Sequence, residues 1–229
     1  MFRKSVANTL VYLVLVTGGS ITLGLSLALL IESDRSGRGF YRTAFFMPAA
    51  STLITMAFVW EFLLHPSAGL VNHLLQQVGV APQNWLNDRH LALYSLAAIG
   101  IWQMSGLALV FFLAGLQSIP KSLIEAASMD GARPWRRFWT IQFPLLSPTT
   151  FFLLVINVVY AFFDTFAIID ATTQGGPGKD TAILVYKVYY DGFKALDMGS
   201  SAAQSVVLMV IVVSLTVLQF KFVEKKVQY

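Results

Sequence analysis

Apolar residues occur in five long blocks that are separated by polar segments. Each block has 20 to 26 residues, about the length that an α-helix needs to cross the hydrocarbon core of a bilayer. The blocks are continuous, whereas the strands of a membrane barrel alternate apolar and polar residues over short segments. The pattern predicts five membrane-spanning helices, over residues 6–31, 45–64, 91–113, 149–169 and 201–220.

Charged residues avoid these blocks. Of the 229 residues, 56% are hydrophobic and only 12% are charged, whereas soluble domains have about 25% charged residues. Within the blocks, the charged residues are Glu61 and Asp164. This segregation excludes a soluble globular domain and predicts an all-α polytopic membrane protein, with residues 1–229 forming a single transmembrane domain. The absence of cysteine excludes disulfides and thiol chemistry.

The distribution of basic residues predicts the orientation. If the C-terminus is cytoplasmic, the internal segments hold ten of the sixteen Lys and Arg residues, as the positive-inside rule favours. Five spans then place Met1 outside, although Arg3 and Lys4 favour the cytoplasm. We therefore expect a further helix before the first block.

The remaining connections predict smaller elements. Residues 32–44 are expected to form a polar turn, and apolar positions within 69–78 recur at the spacing of an amphipathic interfacial helix. Ser20, Gly24 and Ala28 form a ridge of small residues that is suited to close helix packing. The three histidines are too widely separated along the sequence to indicate a metal site.

Segment 117–143 predicts a helix, a glycine turn and a second short helix. Pro120 is tolerated in a first helical turn, and Gly131 favours a helix end because glycine adopts a left-handed backbone at low cost. Pro134 begins the second helix, which is rich in aromatic and basic residues. From these residues alone, the segment fits an interfacial hairpin. The flanking membrane spans argue against a DNA-binding helix-turn-helix.

The same segment resembles the EAA motif of permease subunits in binding-protein-dependent ABC importers. The family pattern is E-A-A, three residues, G, nine residues, I, one residue, and L-P. The chain matches this spacing and departs from it only at Phe143, where leucine is usual. Because phenylalanine is also apolar, little functional effect is expected. The resemblance assigns the coupling loop to Glu125, Ala126, Ala127, Asp130, Gly131, Ile141 and Pro144.

The resemblance extends along nearly the whole chain. Residues 45–75 are similar to the corresponding region of carbohydrate-type permeases, and residues 151–177 and 200–209 are similar to permeases that import sn-glycerol 3-phosphate. The implied fold is the type I permease fold of ABC importers. Family members have six spans, and the first of these has no counterpart among the five blocks, in agreement with the expected preceding helix.

The resemblance also implies an assembly in the bacterial inner membrane. Its expected parts are a second related permease subunit, two ATP-binding subunits that dock at 117–143, and an external solute-binding protein. ATP-driven closure would move the docked hairpin and tilt the spans, so that the pathway opens alternately to each side. The expected solute is sn-glycerol 3-phosphate or a related glycerophosphodiester, with a sugar or oligosaccharide as the alternative. Neither a cofactor nor nucleic acid is expected.

Polar residues within the blocks are candidates for the translocation pathway, because polar groups at membrane depth usually face the bundle or a cavity. Asn157, Tyr160 and Asp164 are spaced by three and four residues and would therefore share one helical face. The alternatives are helix–helix hydrogen bonds and, for Asp164, a position near the outer interface. The blocks contain no Lys or Arg, so phosphate recognition is expected mainly in the binding protein or the partner permease. The candidates are Gln103, Asn157, Tyr160 and Asp164.

Three other classes of protein fit the sequence less well. An ion-coupled secondary carrier needs intramembrane carboxylates or histidines, and Asp164 is the one candidate. A membrane-embedded enzyme needs a convergent catalytic set, for which the sequence offers no suitably spaced pair, and the specific EAA spacing disfavours a scaffold. Residues 175–179 lack the flanking residues of a phosphate loop, so ATP hydrolysis is expected in a separate subunit.

Overall fold

The computed structural model describes residues 2–33 and 38–223, and it has no β-strand within these ranges. The all-α prediction is confirmed. The helices are α1 (Phe2–Ser33), α2 (Arg38–Ala50), α3 (Leu53–Leu63), α4 (Leu70–Gln77), α5 (Ala92–Ser118), α6 (Lys121–Met129), α7 (Pro134–Arg137), α8 (Phe143–Leu145), α9 (Ser147–Val159), α10 (Thr165–Ala171), α11 (Leu184–Tyr189) and α12 (Met198–Leu218). Wider π-helical turns cover Phe138–Gln142, Tyr160–Asp164, Tyr190–Lys194 and Gln219–Val223.

Within the described residues, four continuous helical stretches are long and apolar enough to cross a membrane. Each matches one predicted block to within a few residues at either end, which confirms that these four blocks are helical. The stretches are Phe2–Glu32, Ala92–Ser118, Ser147–Ala171 and Met198–Lys221.

The second predicted span, over residues 45–64, is a bent pair of helices rather than one continuous helix. Its two arms meet at an angle of 102° between Ala50 and Leu53. Thr52 has an extended backbone (φ −70°, ψ 143°), and its hydroxyl accepts a hydrogen bond of 3.4 Å from the backbone N–H of Thr55. This side chain satisfies a donor at the start of α3 and so favours a new helix start within the apolar block.

The polar turn predicted for residues 32–44 is shorter than expected, because α2 already occupies its second half. Residues 34–37 of that turn lie outside the described residues. Phe45 and Ala49 are four residues apart on one face of α2, and both lie against Gly106 of α5. This contact lies within the predicted span, and α2 extends from it back to Arg38.

The small-residue ridge of α1 forms a close contact between helices. Ser20 and Ala28 are fully buried, and a Cβ atom on Gly24 would lie only 2.5 Å from the Cβ atom of Ala108 on α5. Small residues let two helix backbones approach closely in a membrane, where lipid is as apolar as the side chains. The predicted packing role of this ridge is confirmed.

The contacts of α1 with α5 also define the relative direction of these two helices. Tyr12 lies beside Gly100 early in both helices, and Gly24 lies beside Ala108 further along both. The helices therefore run parallel. Two parallel spans require an odd number of crossings between them, and the bent pair α2–α3 can supply that crossing. This geometry supports five crossings.

Asn72 organises the segment between α3 and α5. Its side chain is 1% exposed, and its Nδ2 donates to the carbonyl oxygens of Pro66 and Gln83, both at 2.9 Å. Its Oδ1 accepts from the Trp85 indole at 2.9 Å. These bonds hold α4 against the loop that follows it, and the predicted short helix within residues 69–78 is confirmed.

Candidate functional site

The hairpin between α5 and α9 is the first candidate site, and a glycine turn shapes it. Gly131 has φ +74°, its N–H donates to the Ser128 carbonyl at 3.0 Å, and the N–H of Ala132 donates to the Ala127 carbonyl at 3.0 Å. These two bonds form a Schellman motif at the end of α6. Glycine takes this backbone conformation at little steric cost. The predicted helix and its glycine stop are confirmed as local structure.

Helix α6 lies on the surface of the chain, and none of its residues is buried. Glu125, Ala126 and Asp130 are exposed, and Ala127 is half-buried. Met129 at the end of the helix is 89% exposed. The first part of the coupling loop assigned by the EAA resemblance, from Glu125 to Asp130, is therefore accessible at the surface of the described chain.

The second arm of the hairpin carries an aromatic cluster around Trp139. The ring centroid of Trp139 lies 4.9 to 5.6 Å from those of Trp135, Phe138 and Phe143. The guanidinium of Arg137 donates to the Ser128 hydroxyl and so connects this arm to α6. The two arms are thus linked through side chains as well as through the turn. Ile141 and Pro144 lie half-buried along this arm.

Both arms of the hairpin are also anchored in the membrane-spanning bundle. Leu146 is 1% exposed and belongs to the same apolar cluster as Leu116 and Ile119 at the end of α5, and Ile124 of α6 packs against this cluster. A Cβ atom on Gly115 of α5 would lie 2.8 Å from Leu146. The hairpin is therefore packed against both the end of α5 and the start of α9.

Asn157 connects α9 with α1. Its side chain is 1% exposed, its Oδ1 accepts a hydrogen bond of 2.8 Å from the Ser20 hydroxyl, and its Nδ2 donates to the Leu153 carbonyl at 2.8 Å. These are the contacts of a helix–helix hydrogen bond, the alternative interpretation of this residue. The sequence did not identify Ser20 as the partner.

The predicted common face of Asn157, Tyr160 and Asp164 is not maintained. Tyr160 is buried like Asn157, whereas Asp164 is exposed. The π-helical turn over Tyr160–Asp164 widens the helix and changes the direction of the side chains that follow. Gln103 is 4% exposed. Within the described part of the chain, the Gln103 Oε1 and the Tyr160 hydroxyl have no hydrogen-bond partner.

The hydrogen bond between Ser20 and Asn157 leads to a prediction. We expect Ser20→Ala and Asn157→Leu to have a coupling energy of about 0.6 kcal/mol, with about 1.7 kcal/mol as the upper bound for such bonds in membrane proteins. A double-mutant cycle on the unfolding of the purified protein measures this energy. Ser26→Ala is the control, because Ser26 is exposed and its hydroxyl donates within its own helix. A coupling energy near zero for the Ser20–Asn157 pair would contradict the prediction.

A bundle of apolar helices with an exposed hairpin packed against two of its spans agrees with the architecture of a multi-pass transport permease. The chain belongs to the family of binding-protein-dependent transport system inner membrane components. The sequence model of this family matches residues 20–229. It is therefore a multi-pass permease subunit of the inner membrane and not an enzyme.

Individual relatives agree with this assignment. The chain is 51% identical over 232 residues to the sn-glycerol-3-phosphate transport system permease protein UgpA of Agrobacterium fabrum, covering 100% of this chain and 78% of the relative. It is 46% identical over 228 residues to UgpA of Yersinia pseudotuberculosis, covering 100% and 77%. The fold matches a bacterial alginate ABC transporter solved with an alginate pentasaccharide-bound periplasmic protein, with TM-score 0.89, 23% identity, and coverage of 99% and 80%. This similarity confirms the predicted importer permease fold.

Proposed function

We propose that this chain forms half of the translocation pathway of an ATP-driven importer for sn-glycerol 3-phosphate or a related glycerophosphodiester. The observation that carries the proposal is the 51% identity to a glycerol-3-phosphate permease over the whole of this chain. Residues 1–229 act as a single transmembrane domain. A second related permease, two ATP-binding subunits and an external solute-binding protein complete the importer.

The hairpin over residues 117–143 docks the ATP-binding subunits. Glu125 and Ala126 are exposed on α6, and the turn at Gly131 presents this helix as a protrusion. The small side chain of Ala126 allows close approach of a partner surface, and Glu125 offers a carboxylate to a basic group. Closure of the ATP-binding subunits then moves α6, and the packing at Leu146 transmits this movement to α5 and α9.

The polar residues of the spans border the pathway. Buried oxygen atoms without a partner are costly, and those of Gln103 and Tyr160 gain partners if tilting of the spans admits water or solute. Asn157, three residues before Tyr160, holds α9 against α1. Asp164 is exposed and lies towards the external end of its span in the proposed orientation.

The C-terminus and the hairpin are cytoplasmic in this proposal, as the excess of basic residues in the internal segments supports. Because the chain has no cysteine, single cysteines can be introduced without a background of native thiols. A membrane-impermeant maleimide applied to intact cells should label Gln76→Cys in α4. It should label Ser122→Cys in α6 only after permeabilisation. The reverse pattern would overturn the orientation.

Reconstituted transport tests the function itself. The assembled complex in proteoliposomes should take up radiolabelled sn-glycerol 3-phosphate only under one condition. ATP must be present on the side of the ATP-binding subunits, and the binding protein must be present on the opposite, external side. Ionophores that dissipate ion gradients should leave uptake unchanged. Uptake that survives without ATP but fails with ionophores would instead identify an ion-coupled carrier. Uptake of a sugar in place of the phosphate ester would reject the proposed solute.

A further inference from the structure

A cavity of about 410 Å³ lies where the start of α1, the loop over residues 172–183 and helix α11 meet. Its volume falls within the range of small-molecule sites, about 300–1,000 Å³. The backbone of the glycine-rich residues 174–178 forms one side. The side chains that define its chemistry are Lys4, Lys179, Tyr186, Lys187, Tyr190 and Asp191.

Basic residues from distant parts of the sequence converge on this cavity. Lys4, Lys179 and Lys187 line it, and Arg89 lies at its edge, with its Nε 3.7 Å from the carboxylate of Asp180. These are four of the six basic residues in the segments that the orientation places outside. The basic residues that depart from the positive-inside rule are thus mostly gathered at one site.

The lining of the cavity carries a formal excess of positive charge. Asp180 pairs with both Lys4 and Arg89, and Asp191 pairs with Lys187. The lining side chains include three lysines and one carboxylate, that of Asp191, which gives a formal excess of two positive charges. A phosphate monoester, which carries up to two negative charges, has the complementary charge.

The environment of Asp191 reflects the nearby lysines. Burial disfavours its charged form, but hydrogen bonds from Lys187 and Gln204 and the positive charges of Lys187 and Lys179 outweigh this effect. They hold the pKa of Asp191 below its usual range. The Gln204 amide donates to Asp191 at 2.6 Å and so ties this wall of the cavity to α12.

Buried polar contacts fix the loop that forms the cavity. The Asn8 amide of α1 donates to the Asp180 carbonyl at 2.8 Å, and the Thr9 hydroxyl accepts from the Leu184 N–H at 2.9 Å. Within the loop, the Thr181 hydroxyl donates to the Gly176 carbonyl at 2.6 Å. A site held in place before binding loses less conformational entropy when a ligand enters.

We propose that this cavity is an external receiving site for a soluble phosphate ester, which it holds between release from the binding protein and passage into the spans. The inference rests on the proposed function for the solute and for the orientation. The lysine ammonium groups donate charge-assisted hydrogen bonds to phosphate oxygens. Tyr186 and Tyr190 line the same cavity, and an aromatic ring with a hydroxyl suits the carbon chain and alcohol groups of such an ester.

The receiving site accounts for the lack of Lys and Arg in the predicted spans. The anion meets positive charge in an open cavity, where Lys4 and Lys187 also have carboxylate partners, so that binding is moderate. It then leaves for a pathway that has no strong anion site to trap it. Lys179 also makes a cation–π contact at this site, because its ammonium lies 5.4 Å from the ring centroid of Tyr190.

Direct binding to the assembled complex tests the proposal. The complex is placed in phosphatidylcholine nanodiscs without binding protein, and sn-glycerol 3-phosphate is titrated by isothermal calorimetry and phosphorus NMR. The double substitution Lys4→Gln and Lys179→Gln should weaken binding about tenfold, because hydrogen bonds to charged groups are lost. Lys194→Gln is the matched control, since Lys194 is exposed in the same segment but does not line the cavity. It should bind like the unmodified complex.

Three results would overturn the receiving site: no binding by the unmodified complex, equal weakening by Lys194→Gln, or displacement of the ester by added phosphatidylglycerol, which would mark a lipid headgroup site. The proposed function fails separately, if the complete reconstituted importer takes up no sn-glycerol 3-phosphate. Ester binding that is lost only in the Lys4 and Lys179 variant would still support the cavity in that case.

Discussion

Replacing Gly131 with proline should lower ATP-driven uptake about tenfold or more, while the protein remains in the membrane at its normal level. Gly131 has φ +74°, and its N–H donates to the Ser128 carbonyl at 3.0 Å. Proline fixes φ near −65° and has no N–H, so the substitution removes both the left-handed turn and this hydrogen bond. The packing of the spans does not involve Gly131 itself, since the described residues place no atom within 4 Å of its Cβ position.

Co-purification of the ATP-binding subunits and uptake by proteoliposomes measure this effect. Both should fall about tenfold or more, since backbone strain of this kind costs about 1–3 kcal/mol. Gly79→Pro is the matched control. Gly79 has φ +79°, and the bonds Gly79 N–H to Gln76 (3.0 Å) and Val80 N–H to Leu75 (2.9 Å) form the same motif at the end of α4. Normal uptake by Gly131→Pro, or equal loss of the ATP-binding subunits in both variants, would refute a coupling role.

Replacing Gly24 with leucine should sharply reduce the amount of folded protein. A Cβ atom at this position would lie 2.5 Å from the Ala108 Cβ and 3.0 Å from the backbone nitrogen of Leu109. A helix backbone cannot yield as a flexible side chain can, so α1 must separate from α5. Overpacking costs about 1–3 kcal/mol and occasionally more, and here it breaks the central contact of the bundle.

Size-exclusion chromatography of the detergent-extracted protein measures the monodisperse fraction, which should fall several-fold. Gly18→Leu on the same helix adds the same side chain in open space, because the described residues place no atom within 4 Å of its Cβ position. This control should extract normally. Similar monodisperse fractions for the two variants would contradict the close contact between α1 and α5.

The spans could be predicted because a membrane-spanning helix needs a long run of consecutive apolar residues, and such a run is visible in the sequence. The bend in the second span could not. Ser51 and Thr52 barely change the average polarity of their block, yet Thr52 caps a new helix. A local hydrogen bond of this kind competes with continuation of the helix, and average hydropathy does not record which alternative prevails.

The hairpin could also be predicted from the sequence, because Pro120, Gly131 and Pro134 restrict or permit backbone conformations at their own positions and at adjacent residues. The bond between Ser20 and Asn157 joins residues 137 positions apart, and no local signal indicates such a pairing. The predicted common face of Tyr160 and Asp164 assumes a regular α-helix, and the π-helical turn over these residues changes the spacing. Structure that depends on a short segment could be predicted from the sequence. Contacts between residues far apart in the sequence could not.

The convergent basic residues illustrate the same limit. In the sequence, Lys4, Arg89, Lys179 and Lys187 are separate exceptions to the expected charge distribution. Folding of the loop over residues 172–183 against α1 brings them together. Charge counts along a chain can predict orientation, but a binding site requires the distances between those charges.

The elbow between α2 and α3 has a consequence for the surrounding lipid. Helix α3 has 11 residues, which at 1.5 Å per residue is about 16 Å, roughly half the hydrocarbon thickness of a bilayer. The apolar wall beside α3 is therefore shorter than that beside the 27-residue α5. Where α3 faces lipid, thinning of the bilayer to match it costs a fraction of a kcal/mol per ångström. The acyl-chain length of the host membrane thereby becomes a determinant of the stability of the elbow.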